Sequence, residues 1–222
     1  MDFAKERAAN ELLKFIQPDF KIGLGTGSTI EVAMKFIYEK NLATNLNLQF
    51  VYSSKRTQNL AKEFGFKNLL EFDKLDLVLD GADIILKNGF MLKGLGGALL
   101  KEKILAEATD NYIIMADEVK LKNDFNSQIV PIEISDFNPE LTLIKINNLG
   151  GKPMLRKTEN ALYKTDNGNL IADTFFEKIA NPMRLATDLK QITGVIEHGF
   201  FLDFKPILIL GSTNKPTQII YT

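Results

Sequence analysis

Cysteine is absent from this 222-residue chain, and histidine occurs once. The first absence excludes disulfides, thiolate metal sites and cysteine nucleophiles together. The second removes a histidine-rich metal centre. Charge imbalance is also missing: 27 Lys and Arg stand against 28 Asp and Glu, a formal net charge of −1 with no large basic block. Nucleic acid is therefore not the expected principal partner. Residues 1–16 hold no apolar run of signal-peptide type, and no later stretch is long enough to span a bilayer. A cytoplasmic location with no membrane partner is the expectation. What remains is an ordinary globular balance, 45% hydrophobic and 25% charged. Such a chain can bury a substantial core, as one large domain or as a domain carrying a smaller one.

Strand and helix signals alternate through the first half. Residues 20–25 are apolar and end in glycine, and a helical pattern follows over 28–40. Residues 48–53 read as a strand and 55–64 as a helix stopped by Gly65. Residues 75–79 form another apolar strand, 98–108 a helix and 112–116 a strand. This alternation predicts a parallel sheet covered by helices. Near Val130 the pattern changes. Residues 131–134 read as a strand, and Asn138-Pro139 offers an N-cap and a first-turn proline for a helix stopped by Gly150-Gly151. Asp166-Asn-Gly-Asn169 lies between two short apolar runs, 161–164 and 170–172, and predicts a hairpin. Asn181-Pro182 opens a second helix, 194–201 makes a last strand, and 206–210 returns to the main sheet. The β-α-β-β-α-β order suggests a ferredoxin-like α+β insertion. The expected division is a catalytic domain over 1–127 and 203–222 and a small domain over 128–202.

Three clusters can carry chemistry. The first is Gly23-Leu-Gly-Thr-Gly-Ser-Thr29, between a strand and a helix. Glycines allow close approach of a ligand to the backbone, a helix N-terminus attracts anions, and Thr26, Ser28 and Thr29 add hydroxyls. Ser28 and Glu31 have capping-box spacing, which places the helix start at Ser28. A phosphate suits this loop, and so does a plain tight turn. A nicotinamide fingerprint needs glycine where Ser28 stands and an acidic residue about 20 positions on, but 43–54 holds no Asp or Glu. A P-loop needs a Gly-Lys-Ser/Thr tripeptide, which the chain lacks. A small phosphate ester fits better than a dinucleotide or a nucleoside triphosphate.

The second cluster is Asp80-Gly-Ala-Asp83, directly after an apolar strand. Ligands in open α/β sheets collect at that strand end, where two carboxylates can hold sugar hydroxyls or move protons. Asp-Gly is equally a common solvated turn. The third is the stretch 93–102, a glycine-rich turn leading into a helix that carries Glu102. Residues 98, 99, 105 and 106 share the Glu102 face and are all apolar. Desolvation there raises a carboxyl pKa toward the range of a general base at neutral pH. The competing reading is a surface glutamate beside Lys101 and Lys103.

Together these clusters resemble ribose-5-phosphate isomerase type A. The motifs are Gly-Leu-Gly-Thr-Gly-Ser-Thr at 23–29, Asp-Gly-Ala-Asp at 80–83, Lys-Gly-x-Gly-Gly-Ala-Leu-x-Lys-Glu at 93–102 and Ala-Asp-x-x-Lys at 116–120. Further similarity runs through 149–153, 165–169 and 194–201, so the resemblance covers nearly the whole chain. It implies a Rossmann-like, mostly parallel sheet with a small α+β insertion. It also implies Glu102 as the group moving a proton between C1 and C2, with Asp80, Asp83 and Lys93 around the reacting end of the sugar. Residues Thr26, Gly27, Ser28, Thr29, Gly81, Ala82, Gly94, Leu95, Gly96 and Lys120 complete the implied substrate set. Lys5 matches a position associated with phosphate contact. Two departures stand out. Ile84 replaces the usual glutamate, which bears on loop packing. Leu95 replaces the middle of three glycines, where a side chain could crowd the sugar or push the turn outward; its N–H stays usable at negative φ.

The implied reaction interconverts ribose 5-phosphate and ribulose 5-phosphate through a cis-enediolate, with no cofactor and no metal. Asp80 relays a hydroxyl proton, and Lys93 with turn N–H groups stabilises the oxyanion. The resemblance further implies a homodimer or homotetramer with a small-molecule sugar phosphate as partner. An aminosugar-phosphate deaminase would need a histidine in the site, and His198 falls in the small domain, where it reads as structural or exposed. A coenzyme A transferase on a related fold is a further alternative. A sugar-phosphate sensor would be expected to carry a DNA-binding module, and none is evident.

Overall fold

A computed structural model describes residues 3–159 and 161–222. The chain forms two compact units. The first comprises Met1–Ala82, Lys101–Leu121 and Phe204–Thr222, and the second Asp83–Leu100 and Lys122–Asp203. The second thus includes 83–100, a stretch that the sequence pattern assigns to the first.

The first unit is built on a seven-stranded sheet. Its order is Gln218–Tyr221, Ile207–Gly211, Tyr112–Asp117, Leu77–Gly81, Lys21–Leu24, Gln49–Tyr52 and Lys67–Asn68. All neighbours are parallel except the terminal Gln218–Tyr221, which runs antiparallel to Ile207–Gly211. The chain winds outward from Lys21–Leu24 in one direction, then restarts beside it at Leu77–Gly81 and winds the other way. The carboxyl ends of those two central strands therefore form the topological switch point, where ligands of open α/β sheets bind.

Alternation along the central strands sorts the core. Ile22, Leu24, Leu77, Leu79, Ile113, Met115 and Ile209 are buried in one cluster with Ala8 and Leu12 of the helix Phe3–Leu12 and Ile30, Met34 and Ile37 of the helix Ser28–Thr44. Gly23 and Val78 alternate with them and point to the opposite face. There Leu105 of the helix Leu99–Glu107 approaches so closely that a Cβ on Gly23 would lie 3.6 Å from its Cβ. The helix Phe3–Leu12 was not evident in the sequence. Among the described residues no helix is long and apolar enough to cross a membrane.

The second unit contains a four-stranded antiparallel sheet in the order Lys152–Leu155, Leu170–Phe176, Gln128–Ile134 and Val195–His198. With the helices Pro139–Asn148 and Pro182–Lys190 between them, the strands give the ferredoxin-like β-α-β-β-α-β arrangement. The hairpin differs from expectation. The turn at 165–168 forms, with the Gly168 N–H donating to the Thr165 carbonyl and φ of +86° at Gly168. Residues 161–164, however, make only isolated bridges, and the strand paired with Leu170–Phe176 is Lys152–Leu155. A second small sheet pairs Phe200–Phe201 with Met91–Leu92 and Met91–Leu92 with Ile84–Leu86. The expected strand 194–201 is thus two strands in two sheets. Asn138 precedes its helix in a left-handed conformation without a side-chain cap, whereas the side-chain Oδ1 of Asn181 accepts from the Arg184 N–H as an N-cap should.

Candidate active site

The loop 25–29 sits at the switch point, and its helix starts without a side-chain cap. The residue before Ser28–Thr44 is Gly27 at φ +129° and ψ 170°, a conformation open to glycine. Its carbonyl accepts from the N–H groups of Ile30 and Glu31. The expected Ser28–Glu31 box does not form. The Ser28 hydroxyl instead accepts from Lys5 Nζ at 3.0 Å, and Glu31 pairs with Arg56 at 2.5 Å. The positive φ of Gly27 sets the chain direction that serine at the cap would otherwise set.

Thr26 Oγ1 joins a cluster of hydroxyls, 2.7 Å from Ser53 Oγ and 2.8 Å from Ser54 Oγ, to which it donates. Thr57 donates to the Gly25 carbonyl at 2.9 Å, and its own N–H is accepted by Ser54 Oγ as the N-cap of Lys55–Glu63. Ser53, Ser54 and Thr57 are buried and were missed in the sequence. The available signal was their position: a serine pair directly beyond the strand next to the switch point.

Asp80 lies within the strand Leu77–Gly81, one residue from its end, and is fully buried. Its Oδ1 accepts from the Gly81 N–H at 2.8 Å. The carboxyl group occupies the space a side chain at Gly25 would need, since a Cβ there would lie 1.9 Å from Oδ1. A Cβ on Gly81 would lie 3.8 Å from that of Thr29, so the two neighbouring loops meet at these residues. Glu102 occupies the first turn of Leu99–Glu107 and is only 3% exposed. Leu99, Leu105 and Ala106 are buried on the same face, as the spacing implies, while Ile104 is exposed. Lys103, its neighbour in the competing surface reading, is buried as well. Lys120 ends a single 3-10 turn beyond Tyr112–Asp117. That turn is anchored by Glu118, whose carboxyl accepts from Ser212 Oγ and Lys215 Nζ and is held below the usual carboxylate range by them.

In the second unit, Lys93 is 2% exposed, with its ammonium 5.3 Å from the centre of the Phe201 ring and its N–H donating to the Gly199 carbonyl. Asp83 Oδ2 accepts from the Leu95 N–H at 3.0 Å. The turn 94–97 has positive φ at Gly94 and Gly97 but not at Leu95 or Gly96, and the Gly97 N–H donates to the Gly94 carbonyl. Leu95 is 54% exposed. Arg156 Nη1 donates to the carbonyls of Gly94 and Leu95, and Asp173 binds the same guanidinium through two oxygens. Neither Arg156 nor Asp173 stood out in the sequence. His198 is buried and packs edge-on against Phe200, a structural placement.

Residues 49–215 match the family model for ribose 5-phosphate isomerase A (phosphoriboisomerase A). The chain belongs to this family. It is 41% identical over 213 residues to the ribose-5-phosphate isomerase A of Bacillus mycoides, covering 95% of this chain and 96% of the relative. Among solved structures, the ribose 5-phosphate isomerase of Plasmodium falciparum superposes with a TM-score of 0.94 at 30% identity, over 100% of this chain and 99% of that one. A D-ribose-5-phosphate isomerase in complex with phospho-erythronic acid gives 0.93 at 33%, over 99% and 98%.

Both departures from the family motifs have a physical reading. Ile84 is 7% exposed and belongs to the apolar cluster of the second unit with Leu92, Phe125 and Phe200. A buried isoleucine there adds core contacts. Leu95 sits at a position of its turn where a side chain meets neither a positive φ nor a crowded core.

Proposed function

We propose that the chain interconverts ribose 5-phosphate and ribulose 5-phosphate through a cis-enediolate, with Glu102 as the general base. The observation that carries this reading is a carboxylate buried to 3% in the first turn of a helix that directly follows the glycine-rich turn after Lys93. A carboxylate stripped of water is a stronger base toward a bound carbon acid than a solvated one. Asp80, buried and fixed by the Gly81 N–H, relays the hydroxyl proton on ring opening. Glu102 then takes the proton from C2 of the open aldose, and negative charge develops on the oxygens of the enediolate. Lys93 stabilises that charge as a preorganised cation. Glu102 returns the proton to C1. One carbon is oxidised as its neighbour is reduced, so the balance requires no external oxidant or reductant and no cofactor.

Substrate contacts are assigned to Thr26, Gly27, Ser28, Thr29, Gly81, Ala82, Asp83, Gly94, Leu95, Gly96 and Lys120. The loop 26–29 and Lys120 hold the phosphate end. One role is revised: the Leu95 N–H serves Asp83, so it is not an oxyanion donor, and Lys93 carries more of that charge. The phospho-erythronic acid bound by one relative supports the reading, because a sugar acid phosphate offers an anionic oxygen pair at one end and a phosphate at the other. A cytoplasmic homodimer or homotetramer is proposed as the working form, which sedimentation equilibrium tests.

The deciding experiment is conversion of ribose 5-phosphate to the ketose without added metal or nicotinamide. Glu102→Gln should lower kcat by at least about 10³-fold while calorimetry still detects substrate binding. Near-parental turnover in that variant would remove Glu102 from its role.

A further inference from the structure

The turn 94–97 joins Lys93 to the helix that bears Glu102, and it is held by a device outside every motif that identifies the family. The guanidinium of Arg156 lies flat between two sets of acceptors. On one edge Nε and Nη2 reach the two oxygens of Asp173 at 2.8 and 2.6 Å. On the other, Nη1 reaches the Leu95 carbonyl at 2.9 Å and the Gly94 carbonyl at 3.3 Å. The pair is mostly buried, with side-chain exposures of 14% and 26%. Its strands need no such bridge, because Met154 already opposes Asp173 in the ladder and the Arg156 N–H donates to the Ile171 carbonyl. The carboxylate instead fixes the plane of the guanidinium, whose rigid fork then fixes two successive carbonyls.

Other contacts complete the hold. Asp83 takes the Leu95 N–H, so the Gly94–Leu95 peptide is bound at both its oxygen and its nitrogen. The Tyr163 ring lies 5.5 Å from the Arg156 guanidinium carbon, and its hydroxyl fills the place a Cβ on Gly97 would take, 2.2 Å away. In a trans peptide C=O and N–H point in opposite directions. Drawing the Leu95 carbonyl toward Arg156 therefore aims the Gly96 N–H away from it and stops that peptide from flipping.

We propose that Arg156, oriented by Asp173, is a positioning residue that locks the peptide planes of the turn 94–97 and so sets the placement of Lys93 and the direction of the Gly96 N–H for turnover. This rests on the isomerase reading above, since it assigns the turn a part in stabilising the enediolate.

Three variants, Arg156→Ala, Arg156→Lys and Asp173→Asn, test it by kinetics and by amide hydrogen exchange. In Arg156→Ala the exchange of Leu95 and Gly97 should accelerate at least about tenfold, with the sheet Gln128–Ile134 unchanged. Its kcat should fall on the order of 100-fold, the effect of about 1 Å of misplacement, with KM within about threefold. Millimolar ethylguanidinium should restore a large part of kcat to Arg156→Ala. Lysine, a point charge without the fork, should recover less than about tenfold, and Asp173→Asn should fall between. Parental kcat in Arg156→Ala, a loss that ethylguanidinium does not restore, or unchanged exchange at Leu95 and Gly97 would each overturn the proposal. A parental chain that does not isomerise ribose 5-phosphate would overturn the isomerase reading instead, and the exchange data would still decide whether Arg156 locks the turn.

Discussion

Replacing Gly25 with alanine tests whether the buried carboxyl of Asp80 is placed by its neighbour's missing side chain. Gly25 has no positive φ, so alanine carries no backbone strain there and the whole effect is steric. The added Cβ would lie 1.9 Å from Oδ1, 2.1 Å from Cγ and 2.7 Å from Oδ2 of Asp80. Real contacts of that kind essentially never fall below 3.0 Å, so the carboxyl must retreat by about 1 Å. Asp80 is fully buried, which leaves it no solvent to swing into. Overpacking of this sort costs about 1–3 kcal/mol, and in a chain of this length each kcal/mol lowers Tm by about 2–4 °C. With Asp80 in its proposed relay role, a displacement of its carboxyl by about 1 Å should also lower kcat about 100-fold. The double variant Gly25→Ala with Asp80→Ala removes all three clashing atoms. Calorimetric Tm values should therefore show a favourable coupling of about 1–3 kcal/mol between the two substitutions. A Gly25→Ala enzyme with parental kcat and Tm, or two substitutions whose stability effects simply add, would refute the account.

Three further outcomes follow from single observations. Glu133 is fully buried and accepts from Thr165 Oγ1, Asn167 Nδ2 and Asn169 Nδ2, so Glu133→Ala should cost about 2–3 kcal/mol, measured in urea, with Glu133→Gln milder. Burial raises the Tyr52 phenol to about 12 from its usual 10.0. The folded protein then keeps that proton where the unfolded chain loses it, so the contribution is complete below about pH 10 and is lost as pH rises toward 12. The Tm difference between parent and Tyr52→Phe should be constant below about pH 10 and move in favour of the variant above it. Leu95→Gly should leave kcat/KM within about threefold, because that side chain is 54% exposed; a tenfold gain would mean that it crowds the sugar.

The fold was legible where hydrophobic runs and helix stops coincide. The parallel strands and their crossover helices follow from apolar runs bounded by Gly25 and Gly65, because fully buried strands leave continuous apolar stretches. The helix Phe3–Leu12 was not legible, since its buried face is mostly alanine, Ala4, Ala8 and Ala9; Ala4 sits so close that a Cβ on Gly211 would strike its carbonyl at 1.9 Å. Alanine carries little periodic hydrophobic signal. The hairpin partner was misplaced for a related reason. The turn chemistry of Asn167-Gly168 is local and strong, but which strand pairs with Leu170–Phe176 depends on the register of Lys152–Leu155, a partner beyond the turn.

The site divides along the same line. Glu102, Asp80 and the loop 26–29 announce themselves because a carboxylate among apolar neighbours, or glycines at a strand end, break the local rules of composition. Arg156 and Asp173 break none: an arginine after a strand and an aspartate within one are unremarkable until their register brings them together. Positioning groups of this kind meet their partners only through tertiary pairing, 17 residues apart across a ladder and about 60 from the turn they hold. Leu95 shows the consequence. Judged by the glycine pattern, a leucine threatens the turn. Judged by the contacts, the turn is specified through the carbonyls and N–H that every residue type possesses, and glycine is demanded only at Gly94 and Gly97, where φ is positive. A turn held by its main chain tolerates a side chain at Leu95, which is why this departure from the motif is compatible with the family's chemistry.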